Sequence, residues 1–179
     1  MNESNLVAGC KQGDGNARRS LYECYARYLM GLCYRYTGNR EAAEDLLHDG
    51  FILVFESIGK FEYRGDGSLK AWLIRIFTNL ALECLRKNQQ WEFVPVNDYC
   101  SIENPEEIET KTVSAEILMK HIAELPAGYR TVLNLFVFEN KSHSEIAELL
   151  NISEGTSRSQ FFRAKNLLAK RIRVSLQQV

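Results

Sequence analysis

The sequence has few of the signals that mark β-structure or a membrane span. Its 179 residues include only three prolines, all between residues 95 and 126, and no stretch alternates apolar and polar residues long enough to predict a strand. No run approaches the roughly 18 apolar residues that a membrane helix needs. The N-terminus lacks the basic flank and apolar core of a signal peptide. We therefore predict an all-α, cytoplasmic protein without membrane insertion.

Signs of a metal site, a disulfide framework or a catalytic centre are also scarce. The five cysteines are an odd number without a CxxC pair, which favours buried free thiols over metal or redox use. The three histidines lie far apart and lack HExxH spacing. The acidic residues lie on one amphipathic helix and in the middle of the chain, not in metal-ligand order. We expect no metal, cofactor or catalytic residue, which argues against an enzyme such as a nuclease.

Charge is distributed unevenly along the chain although its net value is -1. Residues 1–90 carry 12 basic and 11 acidic side chains, residues 91–125 carry 2 and 8, and residues 126–179 carry 8 and 4. The neutral total therefore conceals an acidic middle and a basic end. A basic end of this kind is typical of a segment that contacts nucleic acid.

The helical periodicity predicts two small helical domains joined by a linker. We expect helices over residues 17–36, 40–58 and 69–89, with Gly38 and Asn39 at the first junction and Ser68 as the cap of the third. Periodicity is lost and acid and proline increase over residues 91–111, which predicts a flexible acidic linker. The expected domains are residues 1–90 and 112–179, the second a four-helix unit.

The end of the chain has the pattern of a helix-turn-helix. Ser142 and Glu145 have the spacing of a capping box, and a short turn at Asn151 leads to Ser153, which can cap a long final helix. Two helices joined by about four residues predict a helix-turn-helix whose second helix enters the major groove of DNA.

The final helix has two different faces at 100° per residue. We expect its core stripe to consist of Ser157, Phe161, Ala164, Leu168 and Ile172. The opposite face and its shoulder carry Thr156, Arg158, Ser159, Phe162, Arg163 and Lys170. Hydroxyl and guanidinium groups can bond base edges and phosphates, and an exposed ring suits a thymine methyl group. The alternative is a solvated face with one stray aromatic residue.

The stretch LPAGYRTVLNLFVFENKSHSEIAELLNISEGTSRSQFFRAK resembles the C-terminal promoter-reading domain of the extracytoplasmic function sigma factors, a branch of the sigma-70 family. The resemblance rests on the skeleton LPxxYR…EIAExLxISxGT…S…RAK. It implies that the final helix reads the minus-thirty-five element of a promoter. The residues implied to contact DNA there are Thr156, Arg158, Ser159, Phe162, Arg163 and Lys165.

The helix over residues 40–58 has an acidic face that includes one aliphatic residue, Ile52. Such a face is either solubilising or a docking surface on which the aliphatic side chain fills a pocket. The block AEDLLHDGFILVFESIGKF resembles the segment with which these sigma factors hold the clamp helices of core RNA polymerase. It implies polymerase contacts by Asp45, His48, Asp49 and Ile52. Gly50 departs from the family's usual Thr or Ser, and glycine costs a helix interior about 1 kcal/mol.

The stretch FEYRGDGSLKAWLIRIFTNLALECLRK resembles the family's minus-ten region. Aromatic residues and glycines beside a helix start suit the capture of an unstacked base. Trp72 belongs to this group, although its position four residues before Ile76 favours a core residue. The other residues expected to contact the minus-ten element are Phe61, Tyr63, Arg64, Ser68 and Asn79. Arg75, Arg86 and Lys87 are expected at phosphates, with simple solvated charge as the alternative.

Both resemblances occur in family order, which implies a dissociable initiation subunit of RNA polymerase. The implied partners are core polymerase, through its clamp helices and flap, promoter DNA and an anti-sigma factor. Because phosphate contacts dominate non-specific DNA affinity, a nearly neutral free subunit is expected to bind DNA poorly on its own. The alternatives are a helix-turn-helix regulator that binds its operator unaided, a nuclease-like enzyme, and an anti-sigma or adaptor protein.

Overall fold

The computed structural model describes residues 2–87 and 113–177. These residues form eight α-helices and no strand, which confirms the all-α prediction, and the chain divides after Lys87 into an N-terminal and a C-terminal unit. The predicted acidic linker, residues 91–111, lies outside the described residues, and so do the predicted domain limits at 90 and 112, which stay predictions. None of the described helices is long and apolar enough to span a membrane.

The N-terminal unit packs four helices around one core. They are α1 (Glu3–Lys11), α2 (Gly15–Thr37), α3 (Arg40–Ser57) and α4 (Ser68–Lys87), with a 3-10 turn at Ile58–Lys60 after α3. Helices α2, α3 and α4 pack against one another, and α1 packs on α2 and on the 3-10 turn. The sequence prediction did not include α1.

The junction between α2 and α3 agrees with the prediction. Gly38 adopts the left-handed conformation, φ 69°, at the end of α2, and the Asn39 side chain accepts a hydrogen bond from the Ala42 N–H at the start of α3. These two residues form hydrogen bonds with backbone groups at the two helix ends, which would otherwise lack partners.

Gly50 has a packing role that the sequence did not predict. It is buried in α3, and a Cβ atom at this position would clash with the ring of Phe77 on α4. Phe77 is itself fully buried and meets Phe51 edge-to-face, with ring centroids 5.6 Å apart. The glycine therefore lets α4 approach α3 closely, and its loss of helix propensity is offset by packing.

The C-terminal unit contains α5 (Ala115–Ala123), α6 (Ala127–Leu133), α7 (His143–Leu150) and α8 (Glu154–Gln177). The four-helix prediction is confirmed, but α6 does not continue as a regular α-helix. It leaves α-helical geometry at Leu133 and continues as a π-helical turn, Asn134–Phe138. Arg130 on α6 is buried, and its guanidinium group donates hydrogen bonds to the carbonyls of Ala123 and Leu125, at 2.7 and 3.0 Å. Arg130 thus closes the end of α5.

The four cysteines among the described residues are free thiols. Cys10 and Cys33 are buried and Cys84 is partly buried, as predicted, whereas Cys24 is exposed and contradicts the expectation of buried thiols. Burial raises the pKa of Cys33 to about 12, which keeps this thiol protonated and unreactive.

The described residues contain no group of three or more His, Cys, Asp or Glu side chains that could hold a metal ion.

Candidate nucleic-acid interface

A concavity of about 620 Å³ lies where the loop over residues 61–67 meets the first turns of α4. Five of the residues predicted for the minus-ten element line it together. They are Phe61, Arg64, Ser68, Trp72 and Arg75. Lys60, Glu62 and Ala71 complete the lining, so three cationic side chains face one carboxylate. The folded chain thus places side chains up to 14 residues apart in the sequence, from Phe61 to Arg75, around one concavity.

The two aromatic residues of the concavity differ in exposure. Phe61 is only 7% exposed and packs against the half-buried Trp72, with ring centroids 4.7 Å apart and planes tilted by 33°. Because Phe61 is covered, the indole is the aromatic face best placed for an added ring. Phe61 therefore packs against one side of the Trp72 ring and helps to hold it in place.

The loop over residues 61–67 is held by contacts of its own. Gly65 and Gly67 have φ values of 108° and 87°, a region that favours glycine. The Tyr63 hydroxyl donates to Asp66 at 2.6 Å, and this hydrogen bond raises the pKa of Tyr63 to about 12. The tyrosine therefore remains a neutral phenol at physiological pH.

The start of α4 corrects the prediction that Ser68 caps this helix. The Ser68 hydroxyl turns back into the loop, where it donates to the Gly65 carbonyl at 2.6 Å and accepts from the Arg64 N–H at 3.2 Å. The carboxylate of Glu3 on α1 takes its place, accepting from the backbone N–H groups of Gly67 and Leu69 at 2.7 Å each. Sequence reasoning missed Glu3 because the contact spans 64 residues.

Four of the predicted minus-ten residues do not line this concavity: Tyr63, which lies in the loop itself, and Asn79, Arg86 and Lys87. Asn79 is exposed and lines a second concavity of about 430 Å³ between α3 and α4, with Leu53, Glu56 and Glu83 among its neighbours. Arg86 and Lys87 are exposed at the end of α4, and Lys87 forms an ion pair with Glu83 at 2.7 Å. Because Lys60 lines both concavities, the two lie side by side.

The predicted polymerase-facing residues share the exposed face of α3. Asp45, His48, Asp49 and Ile52 are all exposed, and Ile52 retains 45% of its accessible surface. The opposite face is buried over Ala43, Leu47, Gly50, Phe51 and Val54, as the periodicity predicts. Leu53 is exposed beside Ile52, so the surface carries two apolar side chains. Only Ile52 was predicted from the sequence.

The helix-turn-helix forms from α7, a turn and α8. Ser142 and Glu145 make both bonds of the capping box, and Asn151 turns the chain in the left-handed conformation, φ 54°. The Ser153 hydroxyl accepts from the Thr156 N–H at 3.0 Å and caps α8. The two helices are joined further by a hydrogen bond of 2.9 Å between His143 Nδ1 and the Ser157 hydroxyl.

The inner side of α8 agrees with the predicted stripe. Ser157, Ala164 and Ile172 are buried, and Leu168 packs on the core of the unit. Phe161 packs against Phe136, with ring centroids 4.4 Å apart. Gln160 is also fully buried, which the assignment of faces did not include.

The outer side of α8 carries the residues expected at the minus-thirty-five element. Arg158 and Lys165 are exposed, whereas Thr156, Ser159, Phe162 and Arg163 are half-buried. Arg158 forms a 2.5 Å ion pair with Glu154 one turn earlier, and the Ser159 hydroxyl donates to the Thr156 carbonyl at 2.9 Å. The helix therefore presents two hydroxyls, one ring and three cations along one surface.

Comparisons with known proteins agree with these two units. Residues 21–91 match the family described as sigma-70 region 2, and residues 115–168 match sigma-70 region 4. The ECF RNA polymerase sigma factor SigW of Bacillus subtilis is 30% identical over 175 residues, which cover 91% of this chain and 92% of SigW. The RNA polymerase sigma-H factor of Pseudomonas aeruginosa is 29% identical over 98% of this chain and 96% of its own length.

A solved structure has the same fold. The sigma factor RpoE from Bartonella quintana, in complex with the anti-sigma factor NepR, aligns with a TM-score of 0.52 and 22% identity over 87% of this chain and 96% of that one. The chain belongs to the extracytoplasmic function branch of the sigma-70 family. It is therefore an RNA polymerase sigma factor that directs promoter-specific transcription initiation.

Proposed function

We propose that the two units divide promoter recognition between them, and that each uses a different state of the DNA. In this proposal α8 reads the minus-thirty-five element as duplex, and the loop concavity holds one unpaired base of the minus-ten element. Helix α3 binds core polymerase through its acidic face. The domains carrying these roles are residues 1–90 and 112–179. The chain itself makes or breaks no bond, and it acts in the cytoplasm.

The concavity is the observation that carries this proposal. An unpaired base needs an aromatic surface for stacking and cations for the flanking phosphates. Trp72 supplies the first, and Lys60, Arg64 and Arg75 supply the second. The ion pair between Arg64 and Glu62, 3.0 Å long, is highly exposed at both side chains and therefore holds Arg64 only weakly. Arg64 is thus able to exchange Glu62 for a phosphate.

The surface of α8 suits duplex DNA in a different way. Its hydroxyls and guanidinium groups match base edges and phosphates in the major groove, where an α-helix fits. Arg158 and Glu154 form an exposed pair, which is worth little in free energy, so transfer of Arg158 to a phosphate costs little. Phe162 lies on the shoulder of this surface, where its ring can meet a thymine methyl group or a sugar.

The exposed face of α3 suits a basic and apolar partner. Asp45 and Asp49 offer carboxylates beside Ile52 and Leu53. An aliphatic side chain that fills a pocket, with charges around it, is the usual arrangement at a protein interface. We assign this face to the clamp helices of core polymerase, and a region 4 surface to the flap.

Regulation from outside the chain completes the proposal. The structural neighbour RpoE was solved with an anti-sigma factor. We infer that a partner of this class covers the α3 face or α8 in the uninduced cell. Competition for a surface that core polymerase also needs would hold the protein inactive.

Run-off transcription with bacterial core polymerase and a genomic promoter library tests the proposal. The full chain should bind core polymerase and yield transcripts that share a bipartite promoter, whereas the free protein should bind the same DNA poorly at physiological salt. Absence of both core binding and promoter-dependent transcripts would refute the proposal. Strong specific binding by the free protein would instead favour a regulator that acts without polymerase.

A further inference from the structure

Helix α1 connects to both ends of the loop over residues 61–67, and this gives it a role beyond packing. It contacts the 3-10 turn Ile58–Lys60 immediately before the loop. Its Glu3 carboxylate binds the backbone where the loop ends and α4 begins, at Gly67 and Leu69. The family match of region 2 begins only at residue 21, so Glu3 lies outside the matched segment.

We propose that Glu3 is a positioning residue for base capture, because it fixes the loop and the start of α4 in the geometry that the concavity needs. This inference rests on the proposed function of that concavity. Glu3 touches no DNA in this account. It acts through the backbone that carries Arg64, Ser68 and Trp72.

The geometry of the contact supports a positioning role. The two carboxylate oxygens accept separate hydrogen bonds of 2.7 Å, one from the last loop residue and one from the first turn of α4. Hydrogen bonds to a charged acceptor are the stronger kind. A bidentate contact also fixes direction, so the loop cannot rotate about α4 without breaking one of the two bonds.

The electrostatics point the same way. Glu3 occupies the first turn of α1 as well as the start of α4, so the positive ends of two helix dipoles meet at one carboxylate. Helix α1 is itself firmly seated. Leu6, Val7 and Cys10 are buried, and a Cβ atom on Gly9 would lie 2.7 Å from Cβ of Ala17 on α2. Glu3 is therefore presented from a rigid support.

Preordering of this loop has a direct consequence for affinity. Each flexible residue that a ligand must order reduces the net binding free energy. A loop already held by Glu3, by the Tyr63–Asp66 hydrogen bond and by Ser68 avoids that loss. Capture of a base then depends on the fit of the base to the concavity, which is the source of discrimination.

The opposite role is also physically reasonable, and the test separates the two. A carboxylate on helix N–H groups occupies donors that a DNA phosphate can use. If Glu3 blocked such a site, its removal would raise promoter opening. A positioning residue predicts the reverse.

The test uses holoenzyme assembled from core polymerase and the full chain, with the strongest promoter recovered from the run-off library. Transcription from this promoter is compared with transcription from single-base substitutions in its minus-ten and minus-thirty-five elements. The variants are Glu3→Ala, which removes both acceptors, and Glu3→Gln, which keeps one. The control is Glu23→Ala, which removes an exposed carboxylate paired with Arg19 in the same unit.

We expect Glu3→Ala to lower discrimination at the captured minus-ten base about fivefold or more. This is the factor in an equilibrium constant that corresponds to the stability lost with a typical helix cap. Glu3→Gln should lie between this variant and the wild type. Discrimination at the minus-thirty-five element, affinity for core polymerase and the Glu23→Ala control should change less than about twofold.

Each other result is informative. An equal loss on all promoters, with unchanged discrimination, would reduce Glu3 to a purely structural residue and overturn the inference. Increased opening by Glu3→Ala would overturn it in favour of a block. If Glu3→Ala retained wild-type discrimination, the inference about Glu3 would be overturned but the proposed function would stand. If the wild type itself showed no minus-ten discrimination, the proposed function would be refuted as well.

Discussion

The starts of helices α8 and α4 differ in how far along the chain their capping contacts reach. In the C-terminal unit the capping bonds join residues three apart, at Ser142 with Glu145 and at Ser153 with Thr156. In the N-terminal unit the start of α4 is capped across 64 residues by Glu3. The cap of α8 is therefore locally encoded, whereas the cap of α4 depends on the packing of α1.

This difference has a functional meaning. Reading a duplex requires a rigid helix that enters a groove of fixed shape. Holding an unpaired base requires a concavity whose walls come from separate segments, since base, sugar and phosphate are contacted from different sides. The Glu3 contact joins two such segments of the N-terminal unit, as the proposed function requires.

The largest effect on this comparison is expected from Arg130→Ala. The buried guanidinium closes the end of α5 at two carbonyls, so its removal should lower the unfolding free energy of the C-terminal unit by about 3 kcal/mol. Chemical denaturation of the full chain, with a probe in each unit, measures it. Arg130→Lys keeps the charge but not the guanidinium group, and its unfolding free energy should lie between those of Arg130→Ala and the wild type. A loss below about 1 kcal/mol would contradict this role.

The second prediction separates the two surfaces by function. Arg163→Ala should reduce minus-thirty-five discrimination by about 1–3 kcal/mol and leave core binding intact. Asp49→Arg should weaken core binding at least about tenfold, because it places a cation on an acidic docking face. Equilibrium binding of each variant to core polymerase and, as holoenzyme, to promoter duplex measures both. Equal effects on core binding would refute the division.

The third prediction concerns Gly50. In an exposed helix Gly→Ala stabilises by about 1 kcal/mol, but here the added methyl group meets the Phe77 ring. Overpacking should exceed the gain and lower the unfolding free energy of the N-terminal unit by about 1–2 kcal/mol. Thermal unfolding measures this, and Phe77→Leu in the same chain should recover part of the loss. A variant as stable as the wild type would contradict the close contact.

The smallest effect is a pH dependence at Glu145. The backbone N–H of Ser142, with help from Lys141 and the Ser142 hydroxyl, lowers the pKa of Glu145 from its ordinary 4.5 to about 2. Its contribution to stability is therefore present above pH 4.5 and is lost as pH falls toward 2. The stability difference between wild type and Glu145→Gln should shrink over that range. A difference independent of pH would contradict the capping role.

Those same contacts explain what the sequence could predict. The capping box, the Ser153 cap and the Gly38–Asn39 junction are contacts between near neighbours, and spacing alone predicts them. The buried face of α3 follows from its 3.6-residue period. By contrast, the cap supplied by Glu3 and the close approach at Gly50 depend on which helices meet, which no local pattern records. Gly50 was interpreted as a weakness of the helix for this reason.

The candidate site divides in the same way. Residue types near a helix start predicted five members of the concavity, but only the structure shows that Phe61 is covered by Trp72 and that Asn79 faces a different concavity. Hydrophobic residues of a loop have no period from which burial can be inferred. The outer residues of α8 were predictable because a single regular helix places them.

Permanganate reactivity of unpaired thymines in the minus-ten element, measured beside nuclease protection of the minus-thirty-five element, tests the division most directly. With holoenzyme carrying Trp72→Ala, we expect wild-type protection at minus thirty-five and strongly reduced reactivity at minus ten. Holoenzyme carrying Phe162→Ala should lose both in parallel and regain both at higher concentration. Wild-type permanganate reactivity at minus ten with holoenzyme carrying Trp72→Ala would contradict the account. Loss by this holoenzyme of only its protection at minus thirty-five would also contradict it.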